Sequence, residues 1–198
     1  EALIAALKVM PGKPLVNSVN GEEACLNAVL PIIKEYGAAI IGLTMDDEGI
    51  PNNPEVRFNI AGKILERAAK AGIPADDIVI DPLVMTVGAD QKAGLVTLTT
   101  IELVHKEFGV NINLGASNVS FGLPDREAIN ANFLAMLIAA GMPSAITNPL
   151  KPELKKSILA ADMLMGHDED CMRWLKYQRM LAKEAAAAAS GGGSQGRR

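Results

Sequence analysis

The sequence predicts an α/β fold built on a parallel sheet, and three observations carry that expectation. Short apolar runs alternate with longer segments of helical periodicity. About half of the 198 residues are apolar while aromatics make up 4%, so Ala, Ile, Leu and Val dominate, as they do where parallel strands are buried on both faces. Glycines recur in one context: Gly37 before "AAIIGLT", Gly72 before "IPADDIVIDP", Gly109 before "VNINLGAS" and Gly141 before "MPSAITNP", at spacings of 35, 37 and 32 residues. A glycine just past a helix end takes a left-handed conformation without a Cβ penalty. The repeating unit is therefore helix, glycine, strand.

Each element follows from local chemistry. "EALIAALKVM" reads as helix from the first residue, with Leu3, Ile4 and Leu7 on a face. Residues 22–36 form a second helix in which Pro31 is expected to introduce a kink. Asn53-Pro54 is an N-cap followed by proline at the first helical position, and Ile60, Ile64, Ala68 and Ala71 then share a face. Asp90 is expected to cap the next helix, striped by Ala93, Thr97, Ile101, Val104 and Phe108. Pro124 is expected to open another, with Ile129, Phe133, Met136, Leu137 and Ala140 inward, and a last helix runs through 168–184. The strands are "PLVNSV", "AAIIGL", "DIVID", "VNINLG" and "SAIT".

Five such strands fit an open doubly wound sheet or part of a (β/α)8 barrel, which typically needs about 250 residues. The chain opens inside an element, without cap or lead-in, as expected of a barrel fragment of about five βα units lacking the first three strands. Residues 1–184 are expected to form the domain. The tail 185–198, "AAAAASGGGSQGRR", is expected to be flexible and without function.

Composition excludes several classes of partner. A net charge of -4 and no basic cluster in the body of the chain argue against a nucleic acid. No apolar run reaches the length of a membrane span and no signal peptide opens the chain, so a cytoplasmic protein is expected. Cys25 and Cys171 stand apart, outside any CxxC spacing, and read as reduced thiols. With two His and two Cys in separate segments, a structural zinc is not expected.

In either parallel fold the ligand site lies at the carboxyl ends of the strands. There the sequence places Asn17, Ser18 and Asn20; Thr44, Met45, Asp46 and Asp47; Asp81-Pro82; Gly115, Ala116, Ser117 and Asn118; and Thr147 and Asn148. Amides, hydroxyls and a few carboxylates converge, with no Lys, Arg or His among them. That set suits a neutral heterocycle rich in hydrogen-bonding groups better than a phosphate. GxGxxG after a strand, GxxxxGK[ST], GxSxG and HExxH are all absent from the sequence. His105, mid-helix, and His167, far past the last strand, read as surface residues.

Each candidate also has a plain reading. Asp81 before Pro82 is a common turn pair. Asn17 and Asn20 can bond their own backbone. Asp46 and Asp47 lie in a polar loop, and Asn118 can be a left-handed turn residue. Arg126, a cation in the first turn of a helix, is disfavoured by the helix dipole, although Asp125 or Glu127 could pair with it. The recurrence of polar groups at one end of successive strands weighs towards function.

Taken together, "PLVNSVNGEE", "GAAIIGLTMDDEGIP", "DIVIDPLV" and "NLGASNVSFGLPDREAINANFLAMLIAAGMPSAI" resemble the pterin-binding methyltransferases that use methyltetrahydrofolate and a corrinoid (cobalamin) protein. The likeness runs in order from residue 1 to about 180. It implies a (β/α)8 barrel, a homodimer, methyl transfer of the EC 2.1.1 class, and a corrinoid protein as partner carrying the cobalamin. By that likeness Asn17 and Asp81 hydrogen-bond the pterin ring. Gly115, Ser117 and Asn118 form the loop over its N5 side, with Asn118 as the catalytic donor. Ile146 makes an apolar contact to the ring, and Arg126 is a polar residue near the site. Phe121 departs from the pattern, since some relatives carry Gln there. A further strand-end Asp of the family falls in the segment expected to be absent. Two other readings stand beside this one: a dihydropteroate synthase, disfavoured because Ser117-Asn118 replaces the Ser-Arg pattern of the synthases, and a non-catalytic pterin-binding module.

Overall fold

The computed structural model describes residues 1–191. Helix α1 (Ala2–Val9) leads into strand β1 (Leu15–Val19), followed by α2 (Glu23–Tyr36), β2 (Ala39–Leu43), α3 (Pro54–Lys70), β3 (Ile78–Asp81), α4 (Ala93–Phe108), β4 (Asn111–Ile112), α5 (Arg126–Ala139), α6 (Pro152–Leu164) and α7 (Met172–Gly191). The four strands form one parallel sheet in sequence order. The run "SAIT" contributes a single parallel bridge, Gly115 to Ile146, in place of a full fifth strand. These are consecutive βα units of a (β/α)8 barrel.

All four glycines lie just past helix ends with positive φ, as expected. Gly37 and Gly109 close α2 and α4 in left-handed geometry, and Gly72 and Gly141 take positive φ after α3 and α5. Gly141 also has a packing reason: a Cβ there would stand 2.8 Å from the His105 ring. Asn53 caps α3 as expected, accepting from the amides of Glu55 and Val56. Pro31 lies inside α2 without ending it.

Other boundaries shift. Helix α4 begins at Ala93, not at Asp90; Asp90 instead accepts from the Lys92 amide in the preceding turn. Helix α5 begins at Arg126, because Asp125 adopts φ 46 and puts Pro124 outside the helix. Met136 points outward, 51% exposed, and Asn130 and Leu134 fill the inner face. Helix α6 has no counterpart among the sequence-predicted helices, and α7 extends from Met172 through the alanine run. Residues 192–198 of the expected tail lie outside the described residues.

The sheet has two unlike faces. Ile40, Ile78, Ile80, Ile112 and Leu114, all fully buried, point to the helix layer, where they meet Leu26, Ile33, Ile64, Ile101 and Leu137. Gly42 belongs to this face and admits Ile64, whose methyl lies 2.9 Å from where a Cβ would be. The opposite face follows from register. Asn17 pairs with Ile41, Ile41 with Val79, and Val79 with Asn111, so these residues point the same way. Two residues on, Asp81 and Asn113 share that direction, and two further on so does Gly115, with Ile146 joined to it by its bridge.

Candidate functional site

That second face gathers five residues of interest. Asn17, Asp81, Gly115 and Ile146 were expected at the site; Asn113 was not. Asn17 is exposed, and its side-chain amide makes no hydrogen bond among the described residues. Ile146 is 54% exposed on the same side. Neighbouring strands lie about 4.8 Å apart, so Asn17 on β1 and Asp81 on β3 stand roughly 10 Å apart laterally.

Asp81 ends β3 in a tightly held turn. Its carbonyl accepts from the amide and hydroxyl of the buried Thr44 at 3.0 and 3.1 Å. One carboxylate oxygen accepts from the Leu83 amide at 2.8 Å, an aspartate turn two residues long. Burial pushes the carboxyl up to about 6, against the opposing pull of the Leu83 hydrogen bond and the Arg57 charge. The group is therefore mostly ionised at neutral pH and retains acceptor capacity towards the open face. The plain reading of Asp81 as a turn residue accounts for the bond from the Leu83 amide to its carboxylate, but not for the burial of that carboxylate.

The loop after β4 is a turn of 3-10 helix, Ala116–Ser120. Asn118 is exposed on it, and its side-chain amide is unbonded among the described residues. The loop is stitched to the one after β3: Val87 N–H donates to Val119 O at 2.9 Å, and the Thr86 hydroxyl donates to Phe121 O at 2.7 Å. These two bonds bring the Asp81 and Asn118 segments side by side. Arg126 braces the same loop, donating through Nε to Ser120 Oγ at 3.0 Å and through Nη2 to Ser117 O at 2.8 Å. Ser120 Oγ in turn donates to the buried Asn130 Oδ1 at 2.8 Å. Neither Asp125 nor Glu127 pairs with Arg126; Glu127 bonds Lys151. Ser117 contributes its carbonyl to this bracing. Phe121 is 68% exposed, with the Arg126 guanidinium 5.8 Å from its ring centre.

Other strand-end residues serve their own loops. Asn20 bonds Glu22 twice, Asp46 accepts from the Glu48 amide, and Asn148 from the Leu150 amide. A cavity of about 580 Å³ between α4, α5 and α6, lined by His105, Thr147, Asp162 and His167 among others, holds none of the open-face residues except by way of their chain neighbours. Among the described residues no three His, Cys, Asp or Glu side chains gather as metal ligands, and no helix is long and apolar enough to cross a membrane.

Two residues escaped the sequence reading. Arg57 is fully buried behind Asp81. Its signal was available: it continues the α3 stripe of Ile60, Ala61, Ile64 and Ala68 at helical spacing, a charge where an apolar residue belongs. Asn113 stands beside Asp81, just past the end of β4, with a buried Oδ1 that has no partner. An unsatisfied amide is costly unless something else bonds it, so Asn113 offers spare hydrogen-bonding capacity to the same face.

Residues 1–148 match the family described as pterin binding enzyme. The chain is 32% identical over 182 residues to a methylcorrinoid:tetrahydrofolate methyltransferase of Eubacterium limosum, covering 90% of this chain and 67% of that protein. It is 32% identical over 208 residues to the methionine synthase of Mycobacterium tuberculosis, covering 95% of this chain but only 17% of that much longer protein. Among solved structures it is similar to the dihydropteroate synthase of Yersinia pestis, with a TM-score of 0.59 at 12% identity over 83% of this chain and 76% of that one. At that identity the likeness is one of fold.

Proposed function

This chain belongs to the pterin-binding enzyme family, and we propose that it is the folate-binding part of a methyltransferase. It binds methyltetrahydrofolate and exchanges the N5 methyl group with cobalt(I) of a corrinoid protein. The observation that carries the reading is the pairing of an ionised, desolvated acceptor at Asp81 with unbonded side-chain amides at Asn17, on the same open sheet face, and at Asn118, on the loop beside Gly115 of that face. The name of the Eubacterium limosum relative supplies the two methyl carriers of this reading, a corrinoid and tetrahydrofolate.

The chemistry fits the groups. A pterin edge presents an amine and a ring N–H side by side, and a carboxylate accepts both. Asn17 can donate and accept at the same ring, and Ile146 offers an apolar surface to its flat face. The methyl group leaves a tertiary amine, a poor leaving group. As the C–N5 bond breaks, its electron pair returns to N5; cobalt(I) supplies the pair for the new cobalt–carbon bond and ends as cobalt(III). Asn118 donates a hydrogen bond to N5 that strengthens as charge builds there. An amide is no Brønsted acid, so the proton that N5 finally takes comes from solvent. Arg126, through the Ser117 carbonyl and the Ser120 hydroxyl, holds the loop that carries Asn118. Dihydropteroate synthesis fits less well, because the cation of this loop, Arg126, is committed to Ser117 and Ser120.

Residues 1–184 form the working unit in this reading, and we carry forward from the likeness a cytoplasmic homodimer. The test is direct: the full-length protein is mixed with methyltetrahydrofolate and a corrinoid protein reduced to cobalt(I), and the cobalt spectrum is followed. Conversion of the cobalt(I) band to a methylcobalt spectrum supports the proposal, and an unchanged spectrum sinks it.

A further inference from the structure

Arg57 lies in the fourth position of α3, wholly buried. Its Nε donates to Pro51 O at 2.7 Å, and its Nη1 donates to the carbonyls of Pro82 and Leu83, both at 2.8 Å. No carboxylate forms an ion pair with it among the described residues. A buried guanidinium facing only carbonyls is an expensive way to fill a core, since apolar side chains of similar volume commonly serve as well or better. Burial pulls its pKa down, and the acids opposing that pull are Asp81 and Asp90.

What Arg57 holds is informative. The two carbonyls belong to the residues that follow Asp81. Leu83 adopts φ 58, a conformation that a branched side chain rarely takes unheld. In that conformation its N–H turns back to the Asp81 carboxylate, while its carbonyl accepts from both Arg57 and the Thr97 hydroxyl, the latter at 2.7 Å. The neighbours of Asp81 at the ends of β2 and β4, namely Leu43, Thr44 and Asn113, are neutral. Arg57 is thus the charged group acting on Asp81, and Asp90 acts on Arg57 from beyond.

We propose that Arg57 is a positioning residue for Asp81. It grips the Pro82 and Leu83 carbonyls, fixes the turn whose amide orients the Asp81 carboxylate, and supplies the positive charge behind that carboxylate. The planar fork matters as well as the charge, because one nitrogen reaches two carbonyls while Nε reaches a third on another loop. The consequence for ligand binding rests on the function proposed above; the link between the two side chains does not.

The experiment uses the purified protein as wild type, Arg57→Lys and Arg57→Met, with Asp81→Asn to assign the Asp81 signal. Two quantities are read: the carboxyl titration of Asp81 by carbon NMR, and the affinity for methyltetrahydrofolate as a function of pH. In Arg57→Met we expect the Asp81 titration and the acid limb of binding to move together to higher pH by about one unit, the scale on which an opposite charge acts at short range. In Arg57→Lys the titration stays near that of wild type, because the charge remains, but affinity falls about tenfold as the fork is lost. A folded Arg57→Met whose titration overlays wild type overturns the proposal. Should circular dichroism show Arg57→Met unfolded, Arg57→Lys decides, and an unchanged affinity overturns it. A protein that binds no methyltetrahydrofolate at any pH defeats the proposed function instead; Arg57→Met, or Arg57→Lys with an altered Asp81 chemical shift, then decides the positioning role by titration alone.

Discussion

The side-chain nitrogen of Asn118 lies 3.1 Å from the point where a Cβ on Gly115 would stand. Gly115 has φ -73, so its lack of a side chain is not a matter of backbone conformation. It clears space for the amide that the proposed reaction depends on. Gly115→Ala should fold normally and bind methyltetrahydrofolate within a few fold of wild type. Its methyl-transfer rate should fall about ten- to a hundredfold, because Asn118 is displaced by tenths of an ångström from its aim. Stopped-flow spectroscopy of the cobalt band alongside equilibrium binding separates the two effects, and a parallel loss of both would refute this assignment.

Removing the amide itself gives a sharper version. Asn118→Ala should lose about two orders of magnitude in methyl transfer, the usual effect of deleting one donor aimed at developing charge. Tetrahydrofolate affinity should be nearly unchanged. Retained turnover would mean that N5 is activated elsewhere.

Asp81 carries a pH prediction with a definite sign. Folding raises its pKa from 3.8 to about 6, so the native state holds a proton more firmly than the unfolded chain does. The ionised carboxylate therefore costs stability, and that cost grows as pH rises from about 4 to 6 and is constant above. Asp81→Asn keeps an acceptor for the Leu83 amide while removing the charge. We expect it to be more stable than wild type by about 2–3 kcal/mol at pH 8 and equal to it at pH 4, by urea denaturation at the two pH values. It should also lose folate binding. Equal stability at both pH values would contradict the desolvated state of Asp81.

Ser120 and Asn130 form a buried pair beneath the Asn118 loop. Ser120→Ala leaves Asn130 Oδ1 without its donor and removes an acceptor from Arg126. A loss of about 1–3 kcal/mol is expected, the cost of an unsatisfied buried polar atom. Thermal unfolding measures it, and a neutral result would show that water replaces the hydroxyl.

Gly42→Ala tests the other face of the sheet. Its new methyl group would meet Ile64 within 2.9 Å between two rigid elements. Overpacking of this kind costs about 1–3 kcal/mol. Gly42→Ala combined with Ile64→Val should recover part of that, as read from denaturation midpoints.

The parts of the fold legible in the sequence are those set by local rules. Proline at the start of α3 with Asn53 before it, and glycines after α2, α3, α4 and α5, act through the conformation of single residues. Helix α6 lacks such clarity, because its fully buried positions are only Leu154 and Ala161, too sparse a stripe to stand out. The start of α5 was misplaced because Asp125 takes a left-handed conformation that nothing adjacent in sequence demands. At the site, the strand-end pattern and the family likeness led to Asn17, Asp81 and the Asn118 loop. Asn113 sits inside the apolar run read as a strand, and its relevance depends on register with Asp81, which only pairing across the sheet determines. Arg57 was hidden for the opposite reason: its role runs through main-chain carbonyls of residues far along the chain, and carbonyls carry no sequence signature.

The glycine turns divide the molecule into two ends with different tolerances. At the amino ends of β2 and β4 the chain passes from Gly37 to Ala39 and from Gly109 to Asn111 almost at once, whereas at the carboxyl ends it wanders from Leu43 to Pro54, from Asp81 to Ala93 and from Ile112 to Arg126. Insertions at the first end would break helix closure and strand register together. Those at the second lengthen loops whose entropic cost grows only with the logarithm of length. A scaffold arranged in this way can exchange one ligand for another by rewriting its long loops while every buried isoleucine stays where it is.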